Sequence, residues 1–140
     1  MTGYSGTPLL KKLGITPQTH LLALNAPGNY NDIMGTDLSG QFVKAKETPT
    51  MVHLFARDEK ELVSGMKKIL PLCRKNTGLI VWVSWYKKAA KIATDITEDH
   101  IRNFALANDL VDVKVCAVSE IWSGLKLVVP LAKRQAPKER

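Results

Sequence analysis

The side chains best suited to holding a ligand gather in one stretch, Ser84, Trp85, Tyr86, Lys87, Lys88 and Lys91. Hydroxyls, aromatic faces and cations occur there together, a mixture suited to a phosphate or a nucleotide base. The structural alternative is that Trp85 covers the end of a sheet while the lysines face solvent. A second group, Asn25, Gly28 and Tyr30, lies in a stretch that neither helix nor strand continues easily, Asn25-Ala26-Pro27-Gly28-Asn29-Tyr30. Two carboxylates, Asp95 and Glu120, act as acid and base if their loops fold over a shared pocket; otherwise Asp95 caps the helix that follows it. Trp122 precedes Ser123-Gly124, where glycine suits a bulge or a close backbone approach, and it either completes a pocket or anchors a hairpin to the core.

Other chemistries lack their residues. His20, His53 and His100 match no ligand spacing, and Cys73 and Cys116, 43 positions apart, form no metal site by themselves, so no metal is expected. The cysteines sit in apolar patterns and read as buried, reduced thiols. His53 falls within an apolar strand and reads as a hydrogen-bonded core residue. No serine or cysteine occupies a nucleophile elbow, and Gly28 alone is no phosphate loop.

The elements that must position these residues follow from pattern and punctuation. Thr7, Pro8 and Gly14 mark a short first helix, with Thr7 as cap and Gly14 as left-handed exit. Residues 19–24 and 50–56 are short apolar runs that read as strands. Asp58 and Glu61 have capping-box spacing and open a helix whose stripe is Leu62, Val63, Met66, Ile69, Leu70 and Cys73; Pro71 kinks or ends it. Leu79-Ile80-Val81-Trp82-Val83 has the composition of a central parallel strand. Thr94 or Thr97 caps another helix, and Val111–Val118 and Trp122–Val129 close the chain as an antiparallel pair. Residues 31–49 give no clear pattern beyond a brief strand at Phe42–Ala45. Alternation of this kind requires right-handed crossovers. The fold class is α/β: a Rossmann-like three-layer domain whose mostly parallel sheet ends in an antiparallel β-hairpin.

Length and composition set the remaining bounds. At 140 residues, 45% hydrophobic and 24% charged, the chain suits one globular domain over 1–131, followed by a basic flexible tail over 132–140. The formal charge is +7; the tail carries Lys133, Arg134, Lys138 and Arg140 against Glu139, or +3, which leaves 7 − 3 = +4 elsewhere. That balance permits nucleic-acid binding without implying it. No apolar run approaches the roughly 20 residues of a membrane span, and no secretory signal is visible, so the expected location is the cytoplasm.

Two resemblances enter on particular residues. Tyr4-Ser5-Gly6-Thr7-Pro8-Leu9, Lys11-Lys12-Leu13-Gly14-Ile15, Trp82-Val83-Ser84-Trp85 with Lys87-Lys88, Val111-Asp112-Val113-Lys114-Val115-Cys116-Ala117-Val118 and Trp122-Ser123-Gly124-Leu125-Lys126 together resemble a family of short bacterial proteins of unknown function. That resemblance implies bacterial origin and cytoplasmic residence and names no reaction. More remotely, Leu13-Gly14-Ile15-Thr16-Pro17 leading into residues 19–24, and the order of elements from residue 50 onward, resemble a trimmed S-adenosylmethionine-dependent methyltransferase. Such enzymes carry a glycine-rich loop after the first strand, where this chain has Asn25-Ala26-Pro27-Gly28. The 26 residues from 25 to 50 also fall short of the roughly 30 of a βαβ unit, the unit that would bring the ribose-binding acid; Asp32 and Asp37 are its candidates.

In open parallel sheets ligands bind beyond the carboxyl ends of the strands. The expected site is therefore a rim where the turns carrying Asn25, Ser84 and Glu120 meet. It is expected to bind a small anionic or nucleotide-like ligand, with no resident cofactor. Two alternatives stand beside this: a degenerate S-adenosylmethionine-dependent transferase, and a protein- or RNA-interaction module using the basic tail with Lys67, Lys68, Arg74 and Lys75.

Overall fold

The computed structural model describes residues 8–44 and 47–134. Five strands, β1 (Leu21–Leu24), β2 (Met51–Phe55), β3 (Ile80–Tyr86), β4 (Val111–Ala117) and β5 (Trp122–Val128), form one sheet in the order β1-β2-β3-β5-β4. The pairs β1·β2 and β2·β3 are parallel, whereas β5 runs antiparallel to both β3 and β4. The last strand in sequence is thus interior, and β4 forms the sheet edge.

Helices cover both faces. Helix α3 (Glu59–Lys75) and helix α4 (Glu98–Ala107) pack over Val52, Leu54, Val81, Val83, Leu125 and Leu127. Opposite them, α1 (Leu9–Leu13) and α2 (Tyr30–Met34) cover Met51, Phe55, Trp82 and Trp122. Alternation of the strand residues assigns each side chain to one of these two cores. The indole of Trp82, fully buried, donates from Nε1 to the Leu13 carbonyl at 3.0 Å and ties α1 to the middle of the sheet.

Local signals in the sequence act largely as chemistry requires. Asp58 accepts the Glu61 backbone N–H at 2.9 Å, while the Glu61 carboxylate reaches back to the Arg57 N–H at 2.9 Å, one residue outside the usual box. Helix α3 runs on through Pro71, whose ring faces outward. Of the two threonines proposed as cap for α4, Thr97 does so, accepting from His100 N–H at 3.2 Å, while Thr94 donates to the Arg57 carbonyl at 2.7 Å. Gly14 exits α1 at φ +85°. The proposed cap Thr7 lies outside the described residues.

The illegible segment has a simple course. After β1 the chain turns into α2, makes a 3-10 turn at Ser39–Gln41 and then touches the free edge of β1 through a parallel bridge between Phe42 and Leu21. Helix α2 lies on the opposite face from α3, and Phe42 lies on the opposite side of β1 from β2, so the two crossovers share one hand, as the chirality rule requires. A compressed βαβ unit is therefore present. The expected strand at Phe42–Ala45 is reduced to that bridge, with residues 45 and 46 outside the described range. Of the basic tail, Leu131–Arg134 form a short helix, α5, held by Arg134 Nε donating to the Val129 carbonyl at 2.7 Å and by a Lys133–Asp109 ion pair at 3.0 Å. The start of the tail at 132 is thus anchored, and its remainder lies outside the described residues.

Candidate ligand-binding clefts

Two clefts open at the carboxyl edge of the sheet, on either side of Tyr86, which lines both. The narrower, about 510 Å³, lies between the loop after β1, Arg57 beyond β2, and the β4–β5 turn; Asp32, Arg57, Glu120 and Trp122 line it. The wider, about 870 Å³, lies between the end of β3 and the start of α4, where Trp85, Lys87, Lys88, Lys91, Thr94 and Thr97 line it. The rim expected from the sequence is thus divided. The turns after β1 and between β4 and β5 meet across the narrow cleft, and the lysines belong to the wide one.

Burial removes two of the expected site residues. Ser84 is not in a loop, because β3 extends to Tyr86; the serine is 0% exposed and its Oγ lies 2.7 Å from His53 Nε2. Tyr30 is also buried, its hydroxyl 3.0 Å from His53 Nδ1. The three side chains make a closed internal chain, Tyr30–His53–Ser84, in which a neutral imidazole serves both hydroxyls. Burial pushes the His53 imidazole down from 6.5 to about 3 and drives the Tyr30 phenol well above its ordinary value. The serine-histidine contact alone resembles a nucleophile and its base, yet neither cleft is lined by it. A polar pair on alternating strand positions of neighbouring β2 and β3 was the signal available in the sequence.

Other expected residues have assigned duties. Asp95 does not oppose Glu120 and does not cap the helix after it; its carboxylate accepts the Glu59 backbone N–H at 2.8 Å, at the start of α3. Asp37 accepts from Asn31 Nδ2 at 3.1 Å and from the Ser39 N–H at 2.9 Å, and the hydrogen bonds from the Ser39 hydroxyl and N–H hold its carboxyl below the usual range. Asn25, at φ +58°, donates to the Phe55 carbonyl at 3.3 Å and outlines the narrow cleft without lining it. Trp122 is 2% exposed, stacked on Tyr86 at 4.5 Å between centroids and edge-on to Phe55 at 4.9 Å. It is a wall anchoring the hairpin and has no open face for a base. Trp85, 7% exposed, likewise belongs to the core beneath the wide cleft.

Charge separates the two clefts. In the narrow one, Arg57 lies over Trp122 at 5.9 Å and is clasped by Glu61, at 3.1 and 3.2 Å from Nη1, so its charge is matched. Asp32 and Glu120 add negative charge there. In the wide cleft the two acids, Glu98 and Asp99, are both held by Arg102, which also bonds Asp112 at 3.0 Å. Among the described lining residues, Lys87, Lys88 and Lys91 outnumber Glu98 and Asp99 by three charges to two, and Lys91 is held at φ +55°, a left-handed conformation that a lysine seldom adopts.

The loop after β1 holds one glycine, Gly28, where the remote resemblance would require a glycine-rich turn. A side chain at Gly28 would meet no other part of the chain within 4 Å, so the packing of the protein itself does not require glycine there. The buried ring of Tyr30 begins the helix that follows directly, and the stretch after the Phe42 bridge presents Val43 and Lys44 in place of an acid. Among the described residues no three His, Cys, Asp or Glu side chains come together as a metal site needs, and no helix is long and apolar enough to cross a membrane. Both thiols are unpaired; Cys73 is buried and pushed up to about 11 by burial. Lys67, Lys68, Arg74 and Lys75 are exposed along the outer face of α3.

No family model matches the chain, and no curated protein matches it. Among solved structures it is similar to a protein in the NADB-Rossmann superfamily from Streptococcus agalactiae, at 11% identity over 92% of this chain and 70% of that one, with a TM-score of 0.49. It is also similar to the Bacillus subtilis (B. subtilis) M1A22 tRNA methyltransferase TrmK, at 9% identity over 93% and 68% of the two chains and a TM-score of 0.47. A third likeness is to Sp1610 of Streptococcus pneumoniae in complex with S-adenosyl-L-methionine, at 7% identity, a TM-score of 0.49, and 87% of this chain against 60% of that one.

Proposed function

We propose that this chain binds a small anionic ligand at the carboxyl edge of its sheet, in the wide cleft between the end of β3 and the start of α4. The observation that supports this is the convergence of Lys87, Lys88 and Lys91 on a cleft whose acids among the described lining residues, Glu98 and Asp99, are both bonded to Arg102. An ammonium group meets a phosphate or sulfate as a point charge, and the Thr94 and Thr97 side chains at the same wall supply hydroxyl oxygens. The narrow, acidic cleft takes no part in holding the anion.

Nucleotides fall within this ligand class through their phosphates, and the buried indoles leave the base unstacked. Calorimetric titration with sulfate, AMP and ATP tests the reading. Binding is expected to weaken at least about tenfold in Lys88→Ala/Lys91→Ala, the loss of roughly 1.4 kcal/mol of charge-assisted contact. Glu120→Gln is expected to leave affinity unchanged. Absence of heat at millimolar anion, or equal affinity in the double variant, would refute the proposal.

A further inference from the structure

The two edges of the sheet are finished differently. At one edge β1 is four residues long and its outer side is met by Phe42, with the Val43 N–H donating to the Leu21 carbonyl at 2.9 Å. At the other, β4 is seven residues long and, among the described residues, pairs only with β5. Val113 and Val115 on it are 53% and 50% exposed.

Strand geometry says which groups face outward. Val118 N–H donates to the Trp122 carbonyl at 2.9 Å, so Val118, Cys116 and Lys114 direct their backbone groups toward β5. Val115 and Ala117 direct theirs away, and among the described residues no backbone bond meets them. An open edge of this kind is a template for another strand. The usual guards are weak here. Lys114 turns its ammonium back to the Lys12 carbonyl at 3.0 Å, and the bulge falls between Asp112 and Lys114, which leaves 114–117 regular.

We propose that β4 pairs with β4 of a second copy of this chain, antiparallel, about a dyad at Val115. In that register Val115 faces Val115 of the second copy and Lys114 faces Cys116, with the bulged Val113 at the end of the pairing beside Ala117. Apolar residues meet on one face of the sheet, and no like charges stand directly opposite on the other. The outward N–H and C=O groups of Val115 are exchanged between the copies. A slip of one residue would set Val115 against Lys114 and present backbone groups already bonded to β5. A dyad moved to Lys114 keeps outward groups together but sets two ammonium groups against each other. The result is a continuous ten-stranded sheet that leaves both clefts open. An edge pairing of a few residues buries little area, so the dimer is weak.

The test uses the full chain in two measurements. Sedimentation velocity from about 5 to 300 μM is expected to show a concentration-dependent dimer, abolished by Val115→Lys, which sets two ammonium groups across the dyad. In the proposed register the two Cα atoms at position 115 lie about 5.5 Å apart, within the span of a disulfide. Val115→Cys is therefore expected to give a covalent dimer under mild oxidation, joined 115 to 115 by mass spectrometry and many-fold faster than Ser64→Cys, an exposed control on α3. A monomer throughout the concentration range, a linkage through Cys116, or cross-linking no faster than the control would each overturn the proposal.

Discussion

His53 makes the stability of this domain fall in mildly acidic solution. The ring is 1% exposed, bonded to Tyr30 and Ser84 at 3.0 and 2.7 Å, and burial takes its pKa from 6.5 to about 3. The unfolded chain takes up a proton as pH falls through 6.5, while the folded protein does not do so until near 3. The folded-state pKa is depressed, so this stabilisation is complete above 6.5 and is lost as pH falls from there toward 3. From pH 7.5 to pH 5 the loss comes to about 2 kcal/mol, since each pH unit below the unfolded pKa removes about 1.4 kcal/mol. Urea denaturation at those two pH values measures the difference directly, and His53→Phe supplies the comparison. The variant starts lower, because the Tyr30 and Ser84 hydroxyls lose their partner, but its stability is expected to change by about 2 kcal/mol less over the same interval. Equal changes in both proteins would refute the reasoning. So would an imidazole resonance of His53 titrating near its ordinary value in the folded protein.

Two substitutions probe the packing around that site. Ser84→Ala leaves His53 Nε2 buried without its partner and is expected to destabilise by about 1–3 kcal/mol, or about 3–12 °C in Tm, with anion affinity unchanged. A lost affinity at constant Tm in paired calorimetric scans and titrations would return Ser84 to the ligand. Gly65→Ala places a Cβ 2.4 Å from Leu54 Cδ1, where α3 crosses β2. Overpacking of about 1–3 kcal/mol exceeds the helix-propensity gain of up to about 1 kcal/mol, so the urea midpoint is expected to fall; a rise would show that helix and strand separate readily.

Much of the architecture was legible because it is written in local chemistry. The period of Leu62, Met66, Ile69 and Cys73 placed α3, and the Asp58/Glu61 pair placed its start. The apolar run through Trp82 placed the central strand. What misled was the end of β3. Ser84 and Tyr86 look like loop residues by type, but strand pairing to Gly124 and Trp122 of β5 extends the strand over them. Asp95 looked like a cap for the helix after it, and it caps the helix before it because the loop after β3 returns to the start of α3. Residues 31–49 stayed unreadable because a five-residue helix and a single bridge carry too little periodicity to register.

The sequence by itself determined the three layers, the hairpin at the end and the presence of a lysine-rich segment beside an aromatic one, since each depends on residues near one another along the chain. Only the tertiary structure decided which side of Tyr86 each charge occupies, that Ser84 and Tyr30 serve a buried histidine, and that β5 lies inside the sheet while β4 is left at its edge. Those outcomes depend on contacts between residues tens of positions apart. Solvent exclusion at such contacts, which residue type does not encode, turns a hydroxyl or an indole from a ligand-binding group into part of the core.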